Sequence, residues 1–347
     1  MFKSIAVIGR GYYGKVTLVK DKETGKKYAM KSIQKKKLLK AHKAHTIVIE
    51  RDILMKVRKH PFIVSMKFCF QTASKFYVGM QFVPGGDLFH RMRMCGSKET
   101  IPIHDVRLYI AEIALALDFL HENEIIYRDL KPENVLIDAQ GHIKLVDFGL
   151  SKMFGDKNYS NVESHSETSH DHQKAHSICG TPEYNSPEMV LKIPYDYTID
   201  WWSLGILTYD LIFRRTPFYD KNTSKLFQNI LESEPKFREN IPIDESTKSF
   251  ILMLLKKNQS ERPSFEQIKS HEFFQGLDFN NVYNKQIQPI YIPNIKKIEL
   301  NFDREFIEEK AFDSYAPPES DSNVNISDFS CSWLTVSDSE TMEKQEY

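Results

Sequence analysis

The sequence is poor in cysteine, in tryptophan and in uninterrupted apolar runs, and it carries no net charge. Its four cysteines, Cys69, Cys95, Cys179 and Cys331, stand far apart with no C-x-x-C pair. That spacing excludes a zinc-ribbon pattern and predicts reduced thiols rather than a disulfide framework, hence a cytoplasmic or nuclear setting. No apolar run approaches the ~18 residues of a membrane span, and the N-terminus lacks the apolar core of a signal peptide. Lys+Arg and Asp+Glu are both 47, so no global field points to nucleic acid or membrane as the main partner. What is present is an ordinary globular composition, 41% hydrophobic and 27% charged, over 347 residues. That length fits one large domain or two smaller ones, and no internal repeat is visible.

A second absence is more informative. The stretch "SIAVIGRGYYGKVTLV", Ser4 to Val19, has the glycine spacing of a dinucleotide fold and nearly that of a P-loop. Both devices need a helix behind the glycines to hold phosphates, and none follows. Instead "KVTLVKDKETGKKYAMKSI" alternates, with Val16 and Leu18 on one strand face. A turn at Asp21–Gly25 then leads into a second strand, Lys27–Ile33. The glycines therefore top a hairpin, a lid whose backbone N–H groups can close on phosphate oxygens. Lys15 is expected to face solvent.

Further on, Ile47, Glu50, Ile53, Leu54 and Val57 recur at helical spacing until His60-Pro61, and "FIVSMKFCF" and "KFYVGMQFV" read as strands. Five strands and a helix thus fill about the first 82 residues. A Pro-Gly-Gly linker at 83–86 precedes helix-rich sequence, clearest at "VRLYIAEIALALDFLHE". Residues 156–176, with Val162 the one branched aliphatic residue, are expected to be a mobile loop unable to join a core. From about Gly276 the chain turns irregular, then acidic and Ser-rich, as a tail does. "QKKKLLKAHK" reads as an exposed basic face beside a helix.

The motifs come in a fixed order: the glycine hairpin, Lys31 of "YAMK", "YRDLKPENVLI", Asp147 of "DFG", "GTPEYNSPE" and "DWWSLG". Taken together these resemble the protein-kinase signature set. The "DLKPEN" and "GTPEY" motifs are of the serine/threonine type. "HTIVIERDILMKVRKHPFIVSMKFCFQTASKFY", "YRD", "SICGTPEY", "TPFYDKNTSKLFQNIL" and the tail segment "NFDREF" are similar to the AGC group, in its branch of growth-factor-responsive kinases of the S6, Akt and serum- and glucocorticoid-regulated type.

The resemblance implies an α+β bilobal protein-kinase fold: a kinase domain over 2–274 with a small β-rich N-lobe (2–82), a hinge (81–86) and a larger helical C-lobe (87–274), then an AGC C-terminal tail over 275–347. It implies a kinase that moves the γ-phosphate of ATP, with Mg2+, to Ser or Thr of protein substrates in intracellular signalling, acting as a monomer and switched on by an upstream kinase. By the same resemblance Lys31 neutralises the α/β-phosphates and Glu50 holds it. Asp129 accepts the substrate hydroxyl proton, Lys131 reaches the γ-phosphate, and Asn134 and Asp147 hold the metal. Ile8, Gly9, Gly11, Gly14, Val16, Ala29, Leu136 and Val146 surround the nucleotide, with Met80 as gatekeeper and Gln81–Val83 as hinge; Phe302 and Phe306 of the tail lie against that site. Asp87, Glu133 and Asp210 receive arginines ahead of the acceptor residue. Ser177 is the activation-loop phosphosite, whose phosphate pairs with Arg128. Ser330 of "ISDFSC" is the tail phosphosite, with Gln71 contacting its phosphate. Asp200 ties down the catalytic loop, and Glu188 pairs with Arg262.

Other readings stand beside these. A pseudokinase, a nucleotide-binding scaffold without turnover, is the alternative, and the intact Lys31, Asp129, Asn134 and Asp147 weigh against it. His165, His170, His172 and His176 could suggest a metal or pH sensor, but a solvated insertion suits that segment better. Departures from the group's pattern are "ERPS" after the expected loop, Ser186 for alanine, a long activation segment, and Ile326 where the tail motif has an aromatic residue.

Overall fold

The computed structural model describes residues 2–11, 14–41, 44–95, 100–154, 175, 180–238, 241–311, 326 and 329–332. They form two compact units. Unit 1 comprises the described parts of Met1–Lys59, Val64–Val83 and Phe302–Tyr347; unit 2 comprises those of His60–Ile63 and Pro84–Asn301.

Unit 1 is a sheet carrying helices. Its first five strands are β1 (Phe2–Arg10), β2 (Gly14–Asp21), β3 (Lys27–Gln34), β4 (Met66–Gln71) and β5 (Lys75–Gln81), with helices α1 (Lys35–Lys40) and α2 (Ala44–Val57) between β3 and β4. They run antiparallel in the order β1-β2-β3-β5-β4. The expected turn closes with the Asp21 N–H donating to Lys26 O at 2.8 Å, and Gly25 takes the left-handed φ of 73° that it needs. Because side chains alternate, the register puts Val16, Leu18, Ala29, Lys31, Val78 and Met80 on one face. Val19, Tyr28 and Phe68 form a buried cluster, with Phe2, Met30 and Phe70 packed on it. Gly79 is there because Phe68 lies across it: a Cβ would stand 2.1 Å from that ring. Helix α2 buries Ile47, Ile53, Leu54 and Val57, the predicted stripe. Each of these contributes roughly 1.5–3 kcal/mol over an exposed position.

Three expectations about this unit need correction. The Lys-rich stretch is itself helix α1, and Lys35 is buried; its ammonium donates to Gln71 Oε1 at 2.9 Å and lies 4.8 Å above the Phe76 ring. Desolvation lowers the Lys35 pKa. The sheet has a sixth strand from the tail, β10 (Cys331–Ser332), antiparallel to β4 and covering its edge. Finally, Cys69 and Cys331 are joined by a disulfide, against the expectation of four reduced thiols. Their separation of 262 positions hid the pair from any spacing rule. The tail also supplies the short helix α11 (Arg304–Ile307), packed along β1.

Unit 2 is mostly helical. After α3 (Leu88–Met94), the long α4 (Ile103–Glu122) starts three residues before the predicted Val106. Then come two small ladders, β6 (Ile125–Ile126) with β9 (Lys152–Met153) and β7 (Val135–Ile137) with β8 (Ile143–Leu145). Helices α5 (Pro187–Leu191), α6 (Thr198–Phe213), α7 (Thr223–Glu232), α8 (Glu245–Leu254), α9 (Phe265–Lys269) and α10 (Phe279–Tyr283) complete it. Helix α6 is apolar nearly all round, from Trp201 to Phe213, because it is central. Buried Asp105 at the start of α4 accepts the Ile290 and Tyr291 N–H groups at 2.8 and 3.0 Å, fastening the irregular segment after α10.

Most of the predicted 156–176 loop lies outside the described residues, but Ala175 does not. It is fully buried with Ile126, Met189, Tyr195 and Ile199, and it exchanges two backbone hydrogen bonds with Tyr195 at 2.8 and 3.0 Å. The loop therefore does contribute to a core. A lone alanine among polar residues gives no periodic signal. No helix among the described residues is long and apolar enough to cross a membrane.

Candidate active site

In unit 1 the hairpin tip is tied by reciprocal bonds between the Gly11 and Gly14 backbones, at 2.9 and 3.4 Å. Gly14 is dictated by its neighbour: a Cβ would sit 1.8 Å from Ser32 O. Gly9 pairs with Val16, and Val16 pairs with Lys31. Lys31 Nζ reaches Glu50 Oε1 at 2.6 Å, and the two side chains keep only 14% and 4% of their exposure. The central strand β3 and helix α2 each fix one partner. Two residues along the same face Ala29 is buried beside its partner Met80; Ile8, Val16 and Gln81 are half-buried, and Val83 is buried. Phe302 is buried and stacks on Phe82 at 6.1 Å; Phe306, in α11, is half-buried.

Lys15 departs from its expected place in solvent. Its ammonium lies 2.9 Å from Glu309 Oε1, which Arg10 also reaches. The Lys15 hydrogen bond leads the causes that lower the Glu309 pKa.

In unit 2 the chemistry-bearing residues follow from one ladder. Antiparallel pairing of Val135 with Leu145 brings the start of β7 beside the end of β8, so Asn134 and Asp147 project from the same end. The Val146 N–H donates to Asn134 O at 3.0 Å. Asn134 Nδ2 donates to Asp129 O at 2.8 Å and to Asp129 Oδ2 at 2.7 Å, and Lys131 Nζ lies 3.0 Å from both Asp129 oxygens. Burial raises the Asp129 pKa, Lys131 opposes that, and nearby Asp147 adds to it. Arg128 (φ 67°) and Asp147 (φ 57°) both take left-handed backbone, which costs about 1–3 kcal/mol each and persists only where surroundings enforce it. Around Arg128 the enforcer is Asp200, fully buried in α6: its oxygens accept the Tyr127 and Arg128 N–H groups at 2.9 Å each. The Asn134 amide nitrogen is engaged by Asp129, which leaves Oδ1 as its acceptor. With the Asp147 carboxylate this makes a pair of hard oxygens, a set that suits Mg2+ when substrate phosphates supply further ligands. Leu136 and Val146 beside it are half-buried.

Among the residues predicted to meet arginines, Asp210 and exposed Glu133 are brought near enough to repel each other. Asp210 is pushed up to about 6 by burial, against the Tyr184 hydroxyl that donates to it at 2.7 Å. Tyr184 of "GTPEY" thus reaches Asp210, a contact that the motif by itself does not encode. Asp87 serves first as a cap: its Oδ1 accepts the His90 N–H at 2.7 Å at the start of α3. Ser177 and the four histidines lie outside the described residues, as does Cys179. No group of three potential ligands gathers into a metal cluster among those described.

Comparison with known proteins decides what this arrangement belongs to. The model of the protein kinase domain matches residues 2–274. This chain belongs to the protein kinase family. Over 315 residues it is 41% identical to human serine/threonine-protein kinase Sgk1, covering 89% of this chain and 68% of that protein. The mouse protein matches at 41% and the chicken protein at 40%, with the same coverage. The AGC resemblance read from the motifs is therefore upheld, and nothing in the kinship favours a pseudokinase. Protein kinases in general use ATP and Mg2+.

At the tail of this kinase Phe329 is buried against the Phe76 ring at 4.7 Å, and Ser330 is exposed beside it. Gln71 holds the tail here through the tail backbone. Its Nε2 donates to Ile326 O at 2.6 Å and its Oε1 accepts the Ile326 N–H at 3.3 Å. Gln71, matched by resemblance to a residue that contacts the Ser330 phosphate, thus also holds the backbone of the tail itself.

Proposed function

We propose that the kinase transfers the γ-phosphate of ATP to serine or threonine in protein segments with arginine ahead of the acceptor, under control of an upstream kinase. One observation supports this most: Asp129, Lys131 and Asn134 form a single hydrogen-bonded knot, with Asp147 at the adjoining ladder end. In the proposed reaction Asp129 takes the acceptor hydroxyl proton as the hydroxyl oxygen approaches the γ-phosphorus. Lys131 turns from Asp129 to the γ-phosphate and neutralises the charge carried there. Lys31, oriented by Glu50, holds the α/β-phosphates. Asn134 and Asp147 would hold Mg2+, which supplies charge neutralisation at the phosphates. Ile8, Val16, Ala29 and Met80, all in unit 1, would offer the apolar contact that adenine needs.

The test is transfer from radiolabelled ATP to a serine peptide with arginines upstream. Its acid limb should report Asp210. The shift is upward, so the carboxylate is complete only well above pH 6 and is lost as pH falls through about 6. KM for the arginine peptide is therefore expected to rise about tenfold between pH 7 and pH 5. A peptide without arginine should show no such rise; equal rises for both peptides would remove Asp210 from substrate recognition.

The activation-loop reading stands on sequence and on Arg128. That side chain reaches Leu150 O at 2.6 Å and the Tyr195 hydroxyl at 3.4 Å, beside Asp129 in the chain. A Ser177 phosphate would add about −1.5 to −2 charges for it to pair with. Ser177→Ala is expected to lower turnover strongly after exposure to an activating lysate, and undiminished turnover would end this account.

A further inference from the structure

Nothing in the catalytic chemistry needs the link between Cys69 and Cys331, yet it lies where the tail meets unit 1. Three contacts converge on this short segment. The Gln71 amide holds the Ile326 backbone from both sides, and the Phe329 ring fills a fully buried position. Cys331 pairs in register with Cys69 on the edge strand β4, with Cα atoms 5.1 Å apart, within the span a disulfide requires. Phe329 also touches helix α2: the Arg51 guanidinium lies 5.5 Å from its ring, one residue from Glu50. Tail docking therefore braces the helix that carries the partner of Lys31.

We propose that the Cys69–Cys331 disulfide is a reversible oxidative modification that fastens the tail to unit 1, doing the work otherwise left to a phosphate on Ser330. Without the bond the docked segment offers one buried ring, one backbone clamp and a two-residue ladder with β4. With it, docking becomes intramolecular at fixed register, so the docked state dominates whether or not Ser330 is phosphorylated. The bond is also the feature most at odds with the otherwise ordinary, disulfide-poor composition. In a reducing compartment, such cysteine pairs are more often redox sensors than structural staples.

The chemistry balances with a peroxide as oxidant. Cys331, half-exposed, is the accessible sulfur, whereas Cys69 is buried. The Cys331 thiolate attacks one peroxide oxygen, the O–O bond breaks, and a sulfenic acid and water result once a proton is taken up. The Cys69 sulfur then attacks the Cys331 sulfur, the S–O bond breaks, and the hydroxyl leaves as water with the Cys69 proton. Each sulfur is oxidised by one electron and the peroxide is reduced by two. A dithiol reductant reverses this by thiol exchange, returning two electrons and two protons.

The experiment uses the full chain, oxidised with hydrogen peroxide or reduced with dithiothreitol. Non-reducing digestion and mass spectrometry look for the linked Cys69 and Cys331 peptides. Hydrogen exchange follows the amides of Phe329–Ser332. Oxidation should yield the linked peptide and slow exchange of those amides about 10²-fold relative to the reduced chain. Ser330→Ala should keep that protection when oxidised. Cys331→Ser should exchange like reduced wild type under both conditions, and Cys69→Ser provides the same control from the other side. Absence of the linked peptide, or equal exchange in oxidised and reduced wild type, overturns the proposal. The consequence for turnover rests on the reading of Lys31 and Glu50 as the nucleotide clamp. If the linked peptide and slow exchange appear while reduction leaves turnover unchanged, the tether stands and that reading of the clamp falls.

Discussion

Replacing Asp129 by alanine is expected to lower kcat about 10²–10⁴-fold while leaving the dissociation constant for nucleotide within a few-fold of wild type. Asp129 is buried, yet it receives hydrogen bonds from Lys131 and Asn134, and its loop is pinned through Asp200. A carboxylate held so firmly offers one lone pair at a fixed place, which is what proton abstraction in the transition state needs. Removing it takes away an interaction made during transfer rather than on binding, so kcat should carry the loss. Asparagine keeps the shape but cannot accept the proton, so Asp129→Asn should be nearly as slow. Because burial raises the Asp129 pKa, wild-type activity should also decline toward acid over a range above that of an ordinary aspartate. Steady-state kinetics with a saturating peptide measure both effects. An Asp129→Asn enzyme with near wild-type kcat would show that the proton is taken elsewhere.

Arg262→Ala is expected to destabilise the folded kinase by about 3–5 kcal/mol. The Arg262 guanidinium grips Glu188 with both terminal nitrogens, Nη2 at 2.7 Å from Oε2 and Nη1 closer still to Oε1. Its side chain has no exposure and that of Glu188 only 3%. It also donates to the Lys256 and Thr198 carbonyls, so three stretches of unit 2 meet on one side chain. Deleting it leaves Glu188 charged, buried and unpaired, the costly half of the asymmetry between breaking and replacing such a pair. Glu188→Ala should cost a similar amount. Arg262→Met combined with Glu188→Leu should cost less than either alanine variant, because no orphaned charge remains. Chemical denaturation followed by tryptophan fluorescence measures this, and a loss under 1 kcal/mol for both single variants would contradict it.

The legible and illegible parts of this molecule divide by range. Strands β1 to β3 and helix α2 could be read because their periodicity is local. Lys31, Asp129, Asn134 and Asp147 could be placed because ordered motifs mark them. Even Glu188 and Arg262, 74 positions apart, could be matched through their motifs. What stayed hidden depends on contacts that no local pattern encodes. Glu112 and His142 form a buried pair at 2.5 Å, and Lys285 reaches Asp138 at 2.6 Å. Nothing in their neighbouring residues signals a partner. Lys15 looked like a surface charge because Glu309 is 294 residues away. Lys35 looked like part of a basic face because most lysines in such runs are exposed; its burial is a consequence of Gln71 and Phe76. Gln71, a phosphate contact by resemblance, also binds the tail backbone at Ile326, which no motif encodes. Asp87 was read as a substrate contact, and the chain also uses it to cap a helix. The sixth strand and the disulfide are illegible for one reason: both depend on where a distant tail lands.

The most direct test of the central claim is single-turnover transfer of the ATP γ-phosphate to an arginine-led serine peptide by the wild-type chain, phosphorylated at Ser177, with Asp129→Asn at the same concentration as control. The account predicts stoichiometric phosphoserine formation by wild type. It predicts little or none from the control within the same time, although the control binds nucleotide equally well. Nucleotide binding by both chains with no phosphopeptide from either would contradict it, and would make the protein a nucleotide-binding scaffold.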